Sequence, residues 1–321
     1  MKKDAHVVLV SGAGQLGSRY LQGLAKSSLP LRIFVQDSSP ESLARARLRW
    51  DEVRGLNSIH NVSYHADVGA LPRAIDVALV STTADVRPRV VIEIAGHATV
   101  RFWVLEKVLA QSQSDIDKIV SSVGSNSGAW VNTPRRVMPW HRQIKAQLGL
   151  AVPMTLRVEG GAWGLASNAI HFLDLLAWWS GETLQTVSTE RLALHWFASK
   201  RSGILEVSGT LEAKFSGGSS ASLTSNESTE SVHAEVADGR QSWQINEVDG
   251  SAVRNDGLVL PGWPAYQSEL TAPLIESILQ GNGCELPTLK ESAAMHRVFI
   301  DGMLQHWRHT GDACAFAIPI T

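Results

Sequence analysis

Residues 6–17 read His-Val-Val-Leu-Val-Ser-Gly-Ala-Gly-Gln-Leu-Gly, a short apolar run that meets Gly12 and passes into an apolar pattern at Leu16, Tyr20, Leu21 and Leu24. An apolar run of that length, a glycine turn and helical spacing after it predict strand, tight turn and helix. Gly12, Gly14 and Gly17 stand at the three positions of G-x-G-x-x-G. In this setting the first glycine permits the turn, the second lets a pyrophosphate approach the backbone, and the third lets the helix pack close to the strand. The phosphate then lies at a helix N-terminus. Gly12, Ala13, Gly14, Gln15, Leu16 and Gly17 are therefore candidate cofactor-binding residues.

Working outward, a second strand is expected at Leu31 to Gln36, followed by a polar helix with Leu43, Ala46 and Trp50 on one side. Further short apolar runs at Val62 to His65, Ile75 to Val80 and Phe102 to Leu105 alternate with segments that can be helical. That alternation predicts a doubly wound parallel sheet covered on both faces, an α/β Rossmann domain over residues 1–127. Asp37 closes the second strand, about 20 residues after the glycine turn, where a carboxylate accepts hydrogen bonds from ribose hydroxyls and repels a 2'-phosphate. NAD is thus favoured over NADP. Asp37 can equally begin the turn Asp37-Ser38-Ser39-Pro40, and Ser38 and Ser39 could hold a phosphate if Arg45 approached. Thr82 and Thr83, past the fourth strand, either meet the cofactor or cap the next helix.

From about Met154 the texture changes. Residues 205–215 alternate strictly, with Leu205, Val207, Gly209, Leu211, Ala213 and Phe215 against Glu206, Ser208, Thr210, Glu212 and Lys214, which predicts an antiparallel strand with one solvated face. Weaker alternation at Ser219 to Leu223, Ser231 to Val236 and Trp243 to Val248 extends it into a meander. Helices are expected at Asn168 to Ser180 and Leu289 to His309, the latter begun by the capping-box spacing Thr288 to Glu291. Residues 128–321 thus form an α+β domain with an open, mainly antiparallel sheet.

The composition narrows the partners. In 321 residues, 29 Lys and Arg against 31 acidic side chains leave a formal net charge of −2, which supplies no general field for nucleic acid or anionic lipid. No apolar run approaches the length of a bilayer span, so neither nucleic acid nor membrane is an expected partner, and a cytoplasmic protein is the simplest reading. Cys284 and Cys314 have no metal-like spacing and are expected as buried reduced thiols, and no metal is predicted.

Two residues carry the expected chemistry. Lys107 follows the fifth strand at the same carboxyl edge as the glycine turn, where an ammonium could polarise a substrate oxygen or simply be solvated. His171 lies on a helix with Ser167, Asp174 and Trp178 at spacings of three and four, so imidazole and Asp174 carboxylate can meet. That pair is a candidate acid–base group with its orienting carboxylate, or a buried histidine satisfied for structure. Arg135, Arg136 and His141 could grip a phosphate or carboxylate, or cover the surface between the domains. Trp163 is a candidate aromatic wall for the ligand.

These pieces in this order resemble the glucose-fructose oxidoreductase and inositol dehydrogenase family, Gfo/Idh/MocA. The resemblance runs through Gly12 to Gly17, Asp37, Thr82-Thr83, Glu106-Lys107, Val131 to Arg136, Ile170 to Asp174 and Leu286-Pro287-Thr288. It implies a bound nicotinamide cofactor, with Glu106 and Lys107 beside it, and oxidation or reduction at the carbinol or ketone carbon of a sugar, polyol or nucleotide-linked sugar. It also implies Lys107 and His171 as catalytic residues, Trp163, Ser167 and Asn168 near the substrate, and a homo-oligomer, dimer or tetramer, built on the open sheet. Two departures stand out. Val108 replaces the proline that usually follows the lysine, and Ser167 replaces an aspartate that usually stands four residues before the histidine. Two other readings stay open: an enzyme that recycles its NAD within one non-redox cycle, and, because of Ser167, a dinucleotide-binding sensor without turnover.

Overall fold

The computed structural model describes residues 5–55, 59–125, 127–149, 152–263 and 265–321. The chain forms two compact units, one of residues 1–110, 114–132 and 265–290, the other of residues 111–113, 133–264 and 291–321. A single division at 127/128 places two pieces differently. The strand at Gly128–Asn132 lies in the first sheet, and residues 265–290 return to the first unit after the second sheet is built.

In the first unit, strands β1 (His6–Ser11), β2 (Leu31–Gln36), β3 (Asn61–His65), β4 (Ala74–Val80), β5 (Thr99–Glu106) and β6 (Gly128–Asn132) alternate with helices α1 (Gln15–Leu24), α2 (Pro40–Val53), α3 (Arg87–His97) and α4 (Gln113–Val123). Among the described residues the sheet order is β3-β2-β1-β4-β5-β6, every pair parallel. This is the doubly wound arrangement expected of buried apolar strands with helical crossovers. Val8, Leu9, Val10, Val77, Ala78, Leu79 and Leu105 are fully buried. The reversal of strand order falls between β1 and β4, where the Ser81 amide donates to the Ser11 carbonyl at 2.8 Å.

The second unit contains helices α5 (Pro139–Gln147) and α6 (Leu165–Ser180), strands β7 (Thr155–Gly160), β8 (Leu184–Ala198), β9 (Leu205–Phe215), β10 (Ser220–Ser225), β11 (His233–Ala237), β12 (Ser242–Asn246), β13 (Ser251–Arg254) and β14 (Val259–Pro261), and most of the last helix. Its sheet runs β14-β13-β12-β11-β7-β10-β9-β8, antiparallel throughout except for β7 with β10. Sequence reading missed β7 and the long edge strand β8. The register of β8 with β9 shifts three times, between Leu184 and Thr186, Ser188 and Arg191, and Leu192 and Trp196, and each shift breaks the alternation that marks a strand.

Two helices close the count, α7 (Gln267–Leu279) and α8 (Leu289–Thr310). In the first unit α7 packs along α1 so closely that a Cβ on Gly23 would lie 2.6 Å from the Thr271 Cβ. The Glu276 carboxylate fixes the pair, accepting from the Ser28 amide at 2.6 Å and the Ser27 hydroxyl at 3.0 Å. A helix joined to α1 by that packing belongs to the first unit whatever its place in the sequence. Among the described residues no helix is long and apolar enough to cross a membrane. Cys284 is half-buried, its thiol pushed up to about 12 by burial, whereas Cys314, expected to be buried, is exposed.

Candidate functional site

The glycine turn is built as its spacing requires. Gly12 has φ +89, a left-handed value L side chains rarely adopt, and an added Cβ would lie 2.8 Å from the Thr82 amide nitrogen. Gly17 meets the turn from the helix side, where a Cβ would stand 1.7 Å from the Gly12 carbonyl oxygen. A Cβ at Gly14, by contrast, meets no atom within 4 Å. So two glycines are demanded by protein packing, while the third faces open space at the N-terminus of α1. That terminus has no side-chain cap and no acidic residue in its first turn. The space, the helix end without a side-chain cap and its positive dipole fit a pyrophosphate. Ala13, Gln15 and Leu16 complete the turn, and the Gln15 carbonyl and side-chain oxygens accept from Arg49 at 3.2 and 2.6 Å.

Asp37 stands at the end of β2, half-buried, and ties the turn to the second strand. Its Oδ2 accepts from the Ala13 amide at 2.6 Å and its Oδ1 from the Ser39 amide at 2.8 Å. The second bond is the turn that launches α2, whose Ser42 amide Ser39 caps, so the turn expected at Asp37 is present. Ser38, between them, is exposed. Thr82 and Thr83 precede α3 by several residues, and the helix cap is Val86, so neither caps it with a side chain. The Thr82 hydroxyl oxygen is buried without a protein hydrogen-bond partner.

Lys107 follows β5 at the carboxyl edge of this sheet and is half-buried. The residues on either side are anchored. Glu106 is buried, accepting from the Tyr20 hydroxyl and, at 2.7 Å, from the Asn132 amide. Burial pushes both the Glu106 carboxyl and the Tyr20 hydroxyl up from their ordinary values. The carboxylate expected beside the cofactor thus joins α1, β5 and β6. Val108 is fully buried, and its peptide bond with Lys107 is cis. Arg87, which sequence reading did not single out, is buried and donates to the carbonyls of Thr82, Val108 and Leu109. It clamps the segments after β4 and β5 together; an arginine beside a proline in a helix start gives no sequence signal of that role.

In the second unit, α6 begins at Leu165, one turn before its expected start. Gly164 precedes it with φ +76. His171 lies in this helix, half-buried. The Asp174 carboxylate, expected to orient His171, accepts from the Thr133 hydroxyl at 2.8 Å and from Arg136 Nε and Nη2 at 2.8 and 2.6 Å. A planar guanidinium matches a carboxylate in this two-pronged way and locks the short turn Pro134–Val137 onto α6. Burial pushes the Asp174 carboxyl up, and Arg136 and Thr133 pull it back down.

The expected anion grip is likewise internal. Arg135 donates from Nε and Nη2 to Glu247 at 2.5 and 2.6 Å, and its guanidinium lies 4.3 Å from the Phe172 ring centre. His141 is completely buried between Trp140 and Trp179, with Nε2 3.5 Å from Glu247. Burial lowers the His141 pKa; burial alone would raise the Glu247 carboxyl, but Arg135 and His141 hold it well below the carboxylate range. The charges of Arg135 and Arg136 are met inside the protein, by Glu247 and Asp174. Trp163 donates its indole N–H to the Thr224 carbonyl at 2.9 Å and meets Phe172 edge-on; Asn168 donates to the Trp163 carbonyl at 2.8 Å.

The first turn of α6 holds a residue the sequence pattern placed on a solvated face. Glu206 of β9 is buried, its Oε2 accepting from the Ala166 amide at 2.9 Å and its Oε1 from the Ser167 hydroxyl. Ser208 and Thr210 are buried with it, Thr210 against the Thr224 hydroxyl, whereas Glu212 is half-buried and Lys214 exposed, so only the first part of the polar set of β9 is shielded. Alternation reports a strand's period; it does not report what lies over the polar face.

Neither a family model nor a curated relative matches the sequence. Solved structures do match in fold. An oxidoreductase from Agrobacterium radiobacter, in complex with NAD+, L-tartaric acid and magnesium, superposes with TM-score 0.71 at 13% identity over 95% of this chain and 96% of its own. UDP-N-acetylglucosamine 3-dehydrogenase from Acidithiobacillus ferrooxidans gives TM-score 0.69 at 16% identity, covering 97% and 99%. Myo-inositol dehydrogenase from Lactobacillus casei, in complex with NAD(H) and myo-inositol, gives 0.69 at 14%, covering 96% of each chain. The architecture expected from the scattered motifs is thus matched along nearly the whole chain, which shares the fold of these oxidoreductases.

Proposed function

We propose that this protein is an NAD-dependent oxidoreductase acting at a CH–OH or ketone carbon of a sugar, polyol or nucleotide-linked sugar. The observation that carries the reading is the asymmetry of the glycine turn, where Gly12 and Gly17 have no room for a Cβ and Gly14 opens to nothing at an uncapped helix end. The fold neighbours, crystallised with NAD+ or NAD(H), support the same reading. When bound, the nicotinamide supplies a hydride acceptor or donor.

This chain's residues do the rest. The amides opening α1 hold the pyrophosphate, and Gly14 leaves it room. Asp37 takes the ribose hydroxyls on the lone pairs its two backbone bonds leave over, and its charge disfavours a 2'-phosphate. Thr82 and Thr83 line the cofactor where β1 and β4 diverge. Lys107 stabilises charge developing on the substrate oxygen, and His171 takes the hydroxyl proton during oxidation and returns it during reduction. Asp174 serves by holding Arg136 and thereby the segment packed on α6.

A fluorescence titration with NADH and NADPH, read by energy transfer from tryptophan, tests the cofactor assignment. Tighter binding of NADH, with the preference lost in Asp37→Ala, is the expected result. Binding of neither by folded, cofactor-free protein overturns it. With binding established, Lys107→Ala should abolish turnover across a panel of sugars and polyols while leaving NADH affinity nearly unchanged. A variant that keeps most of its rate removes Lys107 from the chemistry.

A further inference from the structure

We propose that Arg49 is a positioning residue for the dinucleotide, holding from α2 the two peptide groups whose N–H bonds open α1 toward the pyrophosphate. The inference rests on the cofactor reading above. The Gln15 carbonyl accepts from Arg49 Nη1 at 3.2 Å, and the Gln15 side-chain oxygen accepts from Nη2 at 2.6 Å. The Ser18 hydroxyl lies 2.8 Å from the Gly14 carbonyl and 3.0 Å from that of Gln15 and donates between them, while its oxygen accepts from Arg49 Nη1. A peptide group is planar, with its C=O and N–H pointing in opposite directions. Holding the Gly14 carbonyl therefore aims the Gln15 N–H, and holding the Gln15 carbonyl aims the Leu16 N–H. These are the first two residues of α1, whose N–H groups have no acceptor within the helix, and they follow Gly14, where an added Cβ meets no atom within 4 Å.

Helix packing accounts for only part of this arrangement. An arginine can tie α2 to α1 anywhere along their contact, yet Arg49 puts its bonds on Gln15 and Ser18, in the first turn. A guanidinium on a carbonyl also polarises the peptide group behind it, which makes the N–H on the far side a stronger donor. The groups Arg49 bonds are neutral, so its charge is left to the corner as a whole. Burial and the like charges of Arg19 and Arg45 disfavour its charged form, and Glu52 opposes them. Arg19 donates to the Gln22 side chain at 2.8 Å, and the exposed Arg45 acts on Glu41, whose carboxylate accepts from the Ser39 hydroxyl at 2.8 Å. Three arginines against two acids give this corner of α1 and α2 an excess of positive charge, the sign that a twice-charged pyrophosphate complements. Because α2 begins just past Asp37, Arg49 also joins the element expected to hold the phosphates to the one expected to hold the ribose.

The test titrates cofactor-free protein with NADH, read by energy transfer from tryptophan, and with ADP, read by calorimetry, each at about 20 mM and about 0.5 M salt, where charges are screened weakly and strongly. Arg49→Met should weaken both ligands about tenfold at low salt and about threefold at high salt, because part of what is lost is a charge. Arg49→Lys keeps the charge without the fork and should fall between parent and Arg49→Met. Ser18→Ala leaves Arg49 on Gln15 but frees the Gly14 carbonyl, and should weaken both ligands about threefold. A folded Arg49→Met protein that binds NADH and ADP like the parent overturns the proposal. So does a loss that is equal at both salts and comes with a lowered melting temperature, for then the arginine only packs α2 on α1. If Arg49→Met does not fold, Arg49→Lys and Ser18→Ala decide, and parent-like binding in both overturns the proposal. A parent that binds NADH no better than these variants loses this inference alone, whereas a parent that binds neither NADH nor NADPH loses the proposed function and this inference with it.

Discussion

Two helix N-termini in this protein are finished in opposite ways. At α1 the first turn carries no acidic side chain and no cap, and Gly14 opens onto space. At α6 the first turn already has its anion, because Glu206 takes the Ala166 amide and the Ser167 hydroxyl from inside the fold. The same positive helix end is left for a ligand in one case and filled by the protein in the other. What separates them is the source of the anion. Around α1 the glycines that leave the end open are near neighbours in sequence, with Asp37 taking only the Ala13 amide ahead of the helix, whereas around α6 the partners come from far along the chain: Ser167 with Glu206, Asp174 with Arg136, Arg135 with Glu247.

The largest expected effect breaks the α6 side of this comparison. Arg136→Met leaves the buried Asp174 carboxylate facing Thr133 alone, and removing one partner of a buried ion pair typically destabilises by about 3–5 kcal/mol. Chemical denaturation should show that loss, and Arg136→Met with Asp174→Leu should recover much of it, since no charge is then stranded. A double variant as unstable as the single one would mean that the turn at Pro134–Val137 needs the ion pair itself.

The α1 side is sharpened by two glycines of opposite character. In Gly17→Ala the new methyl must displace the Gly12 carbonyl, an overpacking expected to destabilise by about 1–3 kcal/mol and to weaken NADH binding with it. Gly14→Ala has room and an extended backbone at φ −62, ψ −158, so its melting temperature should stay near that of the parent. Its NADH affinity should nevertheless fall at least about tenfold, because the methyl enters the space assigned to the pyrophosphate. A Gly14→Ala protein that binds NADH normally would move the phosphate elsewhere. Asp37→Ala comes next, with about a tenfold loss of preference for NADH over NADPH, near 1.4 kcal/mol.

The difference between the two ends also explains what the sequence made legible. Strand, glycine turn and helix could be read in order because each follows from its chain neighbours, and Asp37 from its spacing after the glycines, although its bond to the Ala13 amide spans 24 residues. Ser167 was read as a lost carboxylate, since the residue that faces it stands in β9 and looked like one more polar position in an alternating strand. Arg135, Arg136 and His141 looked like an anion grip because positive charge is visible in a sequence while its partners Glu247 and Asp174 are not. The return of α7 to the first unit was hidden for a similar reason. Its decisive feature is the close approach of Gly23 to Thr271, which no local pattern records.

The smallest expected effect concerns pH and separates a structural carboxylate from one that meets ligand. Glu247 is held below its ordinary value of 4.5 by Arg135 and His141, against the opposing effect of burial. A group whose folded-state pKa is depressed contributes stability that is complete above its unfolded value and is lost as pH falls toward the folded one. Unfolding free energy should therefore decline below about pH 4.5 as the unfolded chain takes up a proton that the folded chain refuses. Glu247→Gln cannot titrate, so between about pH 4.5 and pH 3 its stability should decline less than that of the parent, by about 1 kcal/mol. Arg135→Gln should flatten the curve in the same way, because the arginine is what depresses the carboxyl. Parallel curves for parent and Glu247→Gln would mean that Glu247 titrates alike in both states, and the α6 side of the molecule would then hold its charges no more tightly than the open turn at Gly14.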